Sequence, residues 1–567
     1  MLRYTPLRKL THVSHCCLLA FCVLLCSSAW ADQAANPAID AIFADYSNGN
    51  VPGCALGVIE NGEWVYREAY GNANLEHDLP LTTQSIFDTA SVGKQFTATA
   101  VALLAESGQI SMDDSLAKYF PEFPAWAADI TIEQLVFHTS GIRDYLQLAY
   151  LAGKGGDADN YTDQWAIDAM ARQRETNFPP GTDYLYSNSG YLLLAHLVKR
   201  VTGQTLREYG KEHIFGPLGM EQTSYIDDHT ELVPLRAYGY APDEDGFHSS
   251  MTTLDMVGDG GVFISIDELF AWDQNFYQNR LGKGGPDLIT RLTTPATLKD
   301  GTAITYAYGL DVDQYRGHKT VSHSGSWVGY RAMIQRFPDL KFSVFVLCNR
   351  ADAEPSELAR QVADVMLADQ LDPKAENVEL AAEPGFTLTE AQLQKYVGDF
   401  WEADEAFAAE TQVIDGKLWA VHSPTRKNEL QPLSPNRFRM LGLPAQVLTE
   451  FDMDGERVVE LRRFINGQAR GVFKPFERLA LTSEQLSVYA GEYYSAELDT
   501  VYSLDVREDK LWFSLDDEGP QELTAQFGET FENPDYGAFT FEKDAAGRVQ
   551  GFRLQSGRVR NLAFARQ

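Results

Sequence analysis

The 567-residue sequence predicts an α/β domain followed by two homologous antiparallel β-barrel modules. Two observations point to this architecture. Residues 32–370 mix strand-like and helix-like runs, whereas a pattern in residues 388–438 recurs 93 residues later among short alternating segments and turn signals. We therefore expect the α/β domain at 32–370, a linker at 371–386, and the two barrel modules at 387–480 and 481–567.

The first 31 residues predict a secretory signal peptide. A basic head precedes the 11-residue apolar stretch CCLLAFCVLLC, which is short for a membrane span. Ala29-Trp30-Ala31 then has the small-x-small form of a cleavage site. A lipid-anchoring cysteine is the alternative, but large residues precede Cys22 and Cys26 where a small one is expected. We expect an exported protein, periplasmic or secreted, with no stable membrane insertion.

Composition narrows the classes of partner. The chain carries 80 acidic and 47 basic residues, a formal net charge of −33, which repels nucleic-acid phosphates and anionic lipid. Four of the six cysteines lie in the predicted signal peptide, and Cys54 and Cys348 alone cannot build a disulfide scaffold or a structural zinc site. We expect a small-molecule or short-peptide substrate, no nucleic-acid partner, no metal and no cofactor; the sequence leaves the oligomeric state open.

The α/β domain is expected to begin and end with strands. The stretch CALGVIENGEWVYREAYG predicts two strands joined by a turn at Asn61-Gly62, a strong hairpin signal. One helix is expected after Ser91, and a second over SNSGYLLLAHLVKRVTG, where Gly203 closes it. The last two strands, GYRAMIQRF and KFSVFVLCN, flank residues 338–340. This order predicts a sheet that the two ends of the domain close, with the helices between them.

An internal repeat identifies the two C-terminal modules. Ten identical residues recur at an offset of 93 residues without a gap. In the first copy they are Leu388, Thr389, Gln392, Leu393, Tyr396, Gly398, Lys417, Leu418, Trp419 and Phe438. Each copy contains alternating segments such as KLWAV and GAFTFEK between turn signals, with room for about eight strands. Each copy is expected to form an antiparallel meander, sandwich or barrel.

The stretch DTASVGKQFTATAVALL places Ser91 and Lys94 at the start of an apolar helix. Residues i and i+3 share a helix face, so the amine lies within reach of the hydroxyl. Burial makes a lysine a better base near neutral pH, and a helix N-terminus offers backbone N–H groups to an oxyanion. A second Ser-x-x-Lys, at Ser115 and Lys118, lies in an acidic turn without these aids. We predict that Ser91 and Lys94 are the functional pair, rather than a helix cap and a surface lysine.

The stretch FPPGTDYLYSNSGY supplies further groups for proton transfer, where a Pro-Gly turn leads into the second helix. Tyr186 can exchange protons with Ser91 and the leaving group, and the Asn188 amide can hydrogen-bond the substrate and Lys94. The Tyr-x-Asn triplets that begin at Tyr46 and Tyr277 lack this loop-before-helix setting.

These motifs together resemble the serine β-lactamase and penicillin-binding superfamily. The resemblance is closest to the class C and D-aminopeptidase-like branch, of peptidase S12 type, and LVFHTSGI and GDGGVFIS are also similar to that branch. It spans roughly residues 36–370. It implies a serine β-lactamase-like α/β catalytic domain, in which helices flank an antiparallel sheet and a helical subdomain is added.

The third motif departs from the lactamase pattern. His323-Ser324-Gly325, in the strand-like stretch TVSHSGSWVGYRAMI, resembles the His-x-Gly variant of D-aminopeptidases and some esterases, whereas three Lys-x-Gly triplets lie in glycine-rich or turn sequence. The resemblance implies a catalytic role for His323 and substrate contacts from Ser324 and Gly325. It also implies an oxyanion hole formed by the backbone N–H groups of Ser91 and Ser326. Without a lysine on this strand, the fixed charge for a substrate carboxylate is weaker.

The resemblance also concerns the barrels and the cysteines. D-aminopeptidase-like enzymes carry two antiparallel eight-stranded barrels after the catalytic domain, and one barrel can reach the active site and narrow it. Residues 534–539 and 402–410 are candidates for such a loop. The family topology brings Cys54, near the start of the first strand, towards Cys348, at the end of the last. A disulfide is one expectation there, and two free buried thiols are the other.

We therefore predict an exported serine hydrolase that acts through an acyl-enzyme on small peptides, amides or esters, with D-aminopeptidase-like activity favoured. A β-lactamase or DD-carboxypeptidase is the alternative among enzymes. A non-catalytic ligand-binding protein is the alternative from another class, and the presence of Ser91, Lys94 and Tyr186 argues against it. The sequence leaves open whether Lys94 or Tyr186 is the principal base.

Overall fold

The computed structural model describes residues 36–155, 161–373, 386–403, 406–422, 426–443, 447–465, 468–515 and 519–567. The predicted signal peptide at 1–31 lies outside the described residues, as does most of the predicted linker at 371–386. Residues Asn36–Gln567 form one compact unit. Within the described ranges, no helix is both long and apolar enough to cross a bilayer.

A six-stranded antiparallel sheet forms the centre of the N-terminal domain, which we define as residues 36–373. The strands of this domain are β1 (Cys54–Glu60), β2 (Glu63–Tyr70), β3 (Asn72–Asn74), β4 (Leu79–Pro80), β5 (Phe87–Asp88), β6 (Ser224–Tyr225), β7 (Tyr240–Asp243), β8 (Gly246–Ser249), β9 (Val262–Ile264), β10 (Asp311–Tyr315), β11 (His318–Trp327), β12 (Tyr330–Phe337) and β13 (Phe342–Cys348). The sheet has the order β10-β11-β12-β13-β1-β2, so the first and last strands of the domain are neighbours. The predicted closure by the two chain ends is confirmed.

Helices cover both faces of this sheet. The helices of the chain are α1 (Pro37–Ile42), α2 (Lys94–Glu106), α3 (Leu116–Tyr119), α4 (Ile132–Val136), α5 (Tyr145–Leu151), α6 (Asp163–Ala171), α7 (Asn188–Thr202), α8 (Leu206–Gly210), α9 (Gly216–Leu218), α10 (Ile266–Asn275), α11 (Asp287–Leu292), α12 (Pro355–Met366), α13 (Glu390–Leu393) and α14 (Ser483–Leu486). Successive side chains of strand β1 point to opposite faces of the sheet, and both sets are buried. Leu56 and Val58 pack with α1 and α12, whereas Ala55 and Ile59 pack in the core that contains α2, α7 and α10.

The two ends of the sheet are joined covalently. In the β1–β13 ladder Cys54 lies opposite Cys348, and a disulfide links them. Of the two expectations for these cysteines, the structure contains the disulfide. It spans 294 residues of sequence and ties the first strand of the N-terminal domain to its last.

The C-terminal region forms two closed eight-stranded antiparallel barrels. Barrel 1 consists of β14 (Gly398–Glu402), β15 (Phe407–Ile414), β16 (Lys417–Val421), β17 (Lys427–Ser434), β18 (Arg437–Met440), β19 (Val447–Asp454), β20 (Arg457–Ile465) and β21 (Gln468–Phe476). Barrel 2 consists of β22 (Gly491–Ser495), β23 (Thr500–Arg507), β24 (Lys510–Leu515), β25 (Gln521–Ala525), β26 (Thr530–Asn533), β27 (Gly537–Lys543), β28 (Val549–Ser556) and β29 (Val559–Arg566).

The sequence repeat corresponds to a structural repeat. A short helix introduces each barrel, and each helix begins with a capping box, from Thr389 and Gln392 in barrel 1 and from Thr482 and Gln485 in barrel 2. Of the alternatives that the repeat left open, meander, sandwich or barrel, both copies form barrels, as the family resemblance implied.

Barrel 2 packs against α5 of the N-terminal domain. Arg143 Nη1 donates to Glu497 Oε2 at 2.6 Å, and both side chains are almost fully buried. The Tyr502 hydroxyl donates to the Leu151 carbonyl at 2.8 Å. This pairing fixes barrel 2 beside Asp144, the residue that follows Arg143 and caps α5.

Candidate active site

Ser91 lies in a 3₁₀ turn, Ala90–Gly93, that leads into α2. The sequence predicts the helix from Ser91 onward, whereas α2 begins at Lys94. Ala90 has a φ of 49°, a conformation that costs free energy in non-glycine residues, and its N–H donates to Asp88 Oδ1 at 2.8 Å. The turn still brings the predicted pair together, because Lys94 Nζ lies 3.1 Å from Ser91 Oγ.

The Lys94 ammonium is buried and has three acceptors. Besides Ser91 Oγ, it donates to Asn188 Oδ1 at 2.8 Å and to the Asp259 carbonyl oxygen at 2.5 Å. Burial lowers the pKa of Lys94 to about 8, and the Asp259 carboxylate opposes this effect. A substantial fraction of Lys94 is therefore neutral slightly above pH 7, and the neutral amine can accept a proton from Ser91.

Tyr186 lies two residues before Asn188, which is the first residue of α7. The Asn188 N–H donates to Asp144 Oδ2 at 2.7 Å, which holds this end of α7 beside α5. The Tyr186 ring centroid lies 4.9 Å from Lys94 Nζ. Burial raises the pKa of Tyr186 well above its usual value, and a neighbouring Ser91 hydroxyl is a smaller, opposing influence. Among the described residues the Tyr186 hydroxyl has no well-formed hydrogen bond, so it can interact with a substrate.

His138, in the stretch LVFHTSGI, supports the Tyr186 loop. The Ser187 N–H donates to His138 Nδ1 at 3.1 Å, and the His138 and Tyr186 rings lie 4.2 Å apart. Burial lowers the pKa of His138 well below its usual value, so the ring is neutral. The stretch LVFHTSGI resembles the family in sequence, but no local pattern indicates a role for His138, because its effect passes through a residue almost fifty positions away.

Both ring nitrogens of His323 have partners. Nδ1 donates to the Ser324 carbonyl at 2.6 Å, and Nε2 accepts from the Tyr306 hydroxyl at 2.9 Å. Burial lowers the pKa of His323 to about 4, which makes the imidazole neutral at physiological pH. The ring therefore supplies no positive charge to the cavity. Its catalytic role stays a prediction, and the geometry places it in the cavity wall.

The His-x-Gly strand β11 lies directly against the turn that carries Ser91. A Cβ on Gly325 would lie 2.1 Å from the Thr89 carbonyl oxygen, so only glycine permits this approach. Ser324 and Ser326 line the same cavity as Ser91. The predicted oxyanion donors, the N–H groups of Ser91 and Ser326, thus belong to residues on one cavity, and their role stays a prediction.

Ser91 opens onto a cavity of about 530 Å³ whose lining carries three carboxylates, Asp88, Asp259 and Asp311. Burial raises the pKa of Asp88 and of Asp311 to about 6. The Asp259 carboxylate accepts from the Tyr145 hydroxyl at 3.0 Å. Within the described part of the chain, the Asp311 carboxylate has neither a hydrogen bond nor an ion pair. At pH 7 the cavity therefore contains an ionised carboxylate that has no ion-pair partner among the described residues.

Barrel 2 contributes a cation to this cavity. Arg558, in the turn between β28 and β29, lines it, with its guanidinium carbon 4.8 Å from the Tyr186 ring centroid. The positions predicted for an approaching loop are wrong: no described residue of 534–539 or of 402–410 lines the cavity. Tyr536 instead stacks on Tyr150 at 4.9 Å. No sequence signal marks Arg558, because its position depends on how barrel 2 packs.

The second Ser-x-x-Lys has the structure of the surface alternative. Ser115 caps α3, and Lys118 is exposed and pairs with Asp114 at 2.8 Å. Neither lines the Ser91 cavity.

The comparisons with known proteins agree with this geometry. The Beta-lactamase family model matches residues 39–367, more than half of the chain. The chain belongs to the Beta-lactamase family. It is a serine hydrolase of the β-lactamase type, similar to D-aminopeptidases and penicillin-binding proteins.

Relatives match this β-lactamase-family chain well beyond the N-terminal domain. A D-aminopeptidase from Brucella ovis is 28% identical over 553 residues, which cover 94% of this chain and 99% of the relative. Penicillin-binding protein 4* from Bacillus subtilis is 29% identical over 410 residues, 68% of this chain and 88% of the relative. The octameric penicillin-binding protein homologue from Pyrococcus abyssi shares the fold, with a TM-score of 0.55 and 24% identity over 77% of this chain and 98% of that one.

Proposed function

We propose that this serine hydrolase is exported and acts through an acyl-enzyme on small peptides, amides or esters, with D-aminopeptidase-type activity. The observation that carries the proposal is the contact between Ser91 Oγ and a buried Lys94 amine whose pKa is lowered, on a cavity with a free carboxylate. The D-aminopeptidase relative, which matches nearly the whole chain, supports the substrate class. Export rests on the signal-peptide pattern of residues 1–31.

In the acylation step, Ser91 Oγ attacks the substrate carbonyl carbon. Neutral Lys94 takes the hydroxyl proton, and the negative charge on the carbonyl oxygen is held by the N–H groups of Ser91 and Ser326. Lys94 is the favoured base because burial lowers the pKa of its ammonium, whereas burial raises the pKa of Tyr186 and makes a tyrosinate costly.

The leaving group then needs a proton. The Tyr186 hydroxyl lies beside Ser91 and has no well-formed hydrogen bond among the described residues. We propose that it delivers the proton to the leaving nitrogen as the bond between this nitrogen and the carbonyl carbon breaks, which leaves the acyl group on Ser91. Lys94, now protonated, replaces that proton at Tyr186. A water molecule next attacks the acyl-enzyme through the same groups in reverse, and Ser91 is regenerated. We assign His323 to shaping the wall around these groups.

The unpaired Asp311 carboxylate favours a substrate with an amine. Asp311 lines the cavity with no ion-pair partner in the described structure, and a substrate ammonium would compensate its charge. An N-terminal amine next to the scissile carbonyl has this chemistry. The neutral His323, in contrast, offers no cation from β11, which makes β-lactamase activity the weaker candidate.

A panel of D- and L-aminoacyl amides, short esters and the chromogenic cephalosporin nitrocefin tests the proposal. We expect turnover of D-aminoacyl amides, and a loss of at least ~10³-fold in kcat for Ser91→Ala. Ser115→Ala is the matched control and should keep full activity. A fluorophosphonate probe should label the native chain and not Ser91→Ala. Efficient nitrocefin hydrolysis with no amide turnover would favour the β-lactamase alternative, and absence of both labelling and turnover would favour a ligand-binding protein.

A further inference from the structure

The turn between β28 and β29 is held at the cavity mouth by the N-terminal domain. Asn177 Nδ2 donates to the Arg558 carbonyl at 2.9 Å, and the Arg560 N–H donates to Asn177 Oδ1 at 2.8 Å. Gln147 Nε2 donates to Ser556 Oγ at 3.1 Å. These contacts hold the backbone of the turn at the cavity mouth without using the Arg558 guanidinium.

Among the described residues, most donors of the Arg558 guanidinium have no acceptor. Its described acceptor is Asp144 Oδ2, at 3.4 Å from Nη1. The Asp144 carboxylate already accepts three backbone N–H groups, those of Leu146, Gln147 and Asn188, at 2.7–3.2 Å. A guanidinium has five N–H donors in a planar fork. The remaining donors can therefore serve a ligand that enters the cavity.

In the described part of the chain, two arginines line the cavity, Arg236 and Arg558. Arg236 stacks on Phe263 and lowers the pKa of Asp88, whereas Arg558 lies over the ring of Tyr186. Lys94 is buried behind three acceptors. Arg558 is therefore the cation positioned for a carboxylate on the leaving group. Arg558 faces the opening, with 43% of its side chain exposed.

The position of Arg558 relative to the chemistry defines which carboxylate it would hold. The guanidinium lies over the ring of Tyr186, whose hydroxyl protonates the leaving nitrogen in the proposed mechanism. In a leaving amino acid, one carbon atom separates that nitrogen from the carboxylate. We propose that Arg558 anchors the free carboxylate of a single leaving amino acid, so that the preferred substrates are dipeptides rather than amides or longer peptides. This inference rests on the proposed function.

The matched ligands D-alanyl-D-alanine and D-alanyl-D-alaninamide differ only in this carboxylate. Their binding to the full-length Ser91→Ala chain is measured by calorimetry, so that turnover does not interfere. We expect the free dipeptide to bind more tightly than its amide. Adding Arg558→Gln should weaken dipeptide binding by about 10- to 100-fold, the usual effect of losing a charge-assisted hydrogen-bonded pair, and leave amide binding unchanged.

Two further variants separate charge from structure. Arg558→Lys should retain part of the preference for the dipeptide. Arg548→Gln removes a guanidinium from an exposed part of barrel 2, where it pairs with Asp544, and should change neither affinity. An equal loss of affinity for both ligands in Arg558→Gln would show a structural role and overturn the proposal, as would an unchanged dipeptide preference.

The wild-type chain distinguishes the two proposals. If it hydrolyses neither peptide while the carboxylate preference still depends on Arg558, the proposed function fails and the carboxylate anchor is supported. If it hydrolyses both peptides with equal kcat/KM and Arg558→Gln has no selective effect, the proposed function stands and the anchor is wrong.

Discussion

Lys94 and Lys118 occupy the same Ser-x-x-Lys motif and differ in their surroundings. Substituting each lysine in turn therefore tests the assignment of Lys94 as the base. Lys94→Ala should lower kcat/KM for an aminoacyl amide by about 10²- to 10⁴-fold, because a general base is lost. Lys118→Ala is the matched control, since Lys118 is exposed and pairs with Asp114. Comparable losses in both variants would contradict the assignment.

The pH dependence of the wild-type enzyme follows from the same group. Burial lowers the pKa of the Lys94 ammonium to about 8, and the base must be neutral. kcat/KM should therefore rise with pH through about 8 and fall as Lys94 takes up a proton below it, as measured with a neutral ester substrate. A profile that is flat between pH 6 and 9 would argue for another base.

Asp311 is retained in the cavity at a cost to stability. Its pKa is raised by burial from 3.8 to about 6, so the folded state binds the proton more tightly than the unfolded chain. The free-energy cost of the ionised Asp311 in the folded state is full above about pH 6 and decreases as the pH falls towards 3.8. Asp311→Asn should raise the free energy of unfolding by about 3 kcal/mol at pH 7 and by little at pH 4.

Denaturant unfolding of the full-length chain at the two pH values measures this effect, with the exposed Asp129 of the N-terminal domain changed to Asn as control. Asp311→Asn should also raise KM for aminoacyl amides more than for neutral esters. A variant that is no more stable at pH 7 would show that the carboxylate is compensated.

The site residues that the sequence predicts are those with a local sequence pattern. Ser91, Lys94 and Asn188 meet as their spacing and flanking elements predict. Lys94 and Asn188 begin helices whose apolar residues fix them, and Ser91 lies in the turn just before α2. Asp311 carries no such pattern. Arg558 could not be predicted, because a contact between residues more than 350 positions apart depends on domain packing that the sequence does not express locally.

Helices and strands that have a strong local sequence signal lie where the sequence predicts them. The β1–β2 hairpin turns at Asn61 and Gly62, both with positive φ, as an Asn-Gly turn requires. The start of α2 is the exception. Its first turn is 3₁₀, since Ala90 adopts a positive φ that tertiary contacts stabilise and that alanine does not signal.

The buried ion pair between α5 and barrel 2 gives a test at the scale of elements. Glu497→Gln leaves the Arg143 guanidinium buried without its nearest counter-ion, which should cost about 3–5 kcal/mol of unfolding free energy. The exposed pair between Arg548 and Asp544 provides the control, and Asp544→Asn should leave stability unchanged. Thermal and denaturant unfolding measure the difference in unfolding free energy between the two variants. Equal stability of the two variants would show that the contact between Arg143 and Glu497 does not stabilise the fold.

At the scale of the molecule, the order of domains was predictable because the barrels repeat in sequence and the sheet closes by its chain ends. The linker and signal-peptide boundaries stay predictions. The relative placement of barrel 2 was not predictable, because it rests on buried polar contacts such as Tyr502 to Leu151 that no sequence period reveals.

The disulfide closes the sheet of the whole N-terminal domain. Replacing Cys54 and Cys348 by Ala should lower the free energy of unfolding by about 2–5 kcal/mol, because the cross-link restricts the unfolded chain. Thiol titration of the unreduced, denatured wild-type protein without residues 1–31 should find no free thiol. Two free thiols, or an equally stable variant, would contradict this expectation.

The placement of Arg558 has an evolutionary consequence. The reacting groups and the proposed selector of the leaving group are encoded in different parts of the gene, the latter in an all-β module that already arose by duplication. Mutation or recombination in that module could retune which molecules are accepted while the bond-breaking apparatus remains untouched. Diversification of such hydrolases would then be visible mainly in the hairpins of their last barrel.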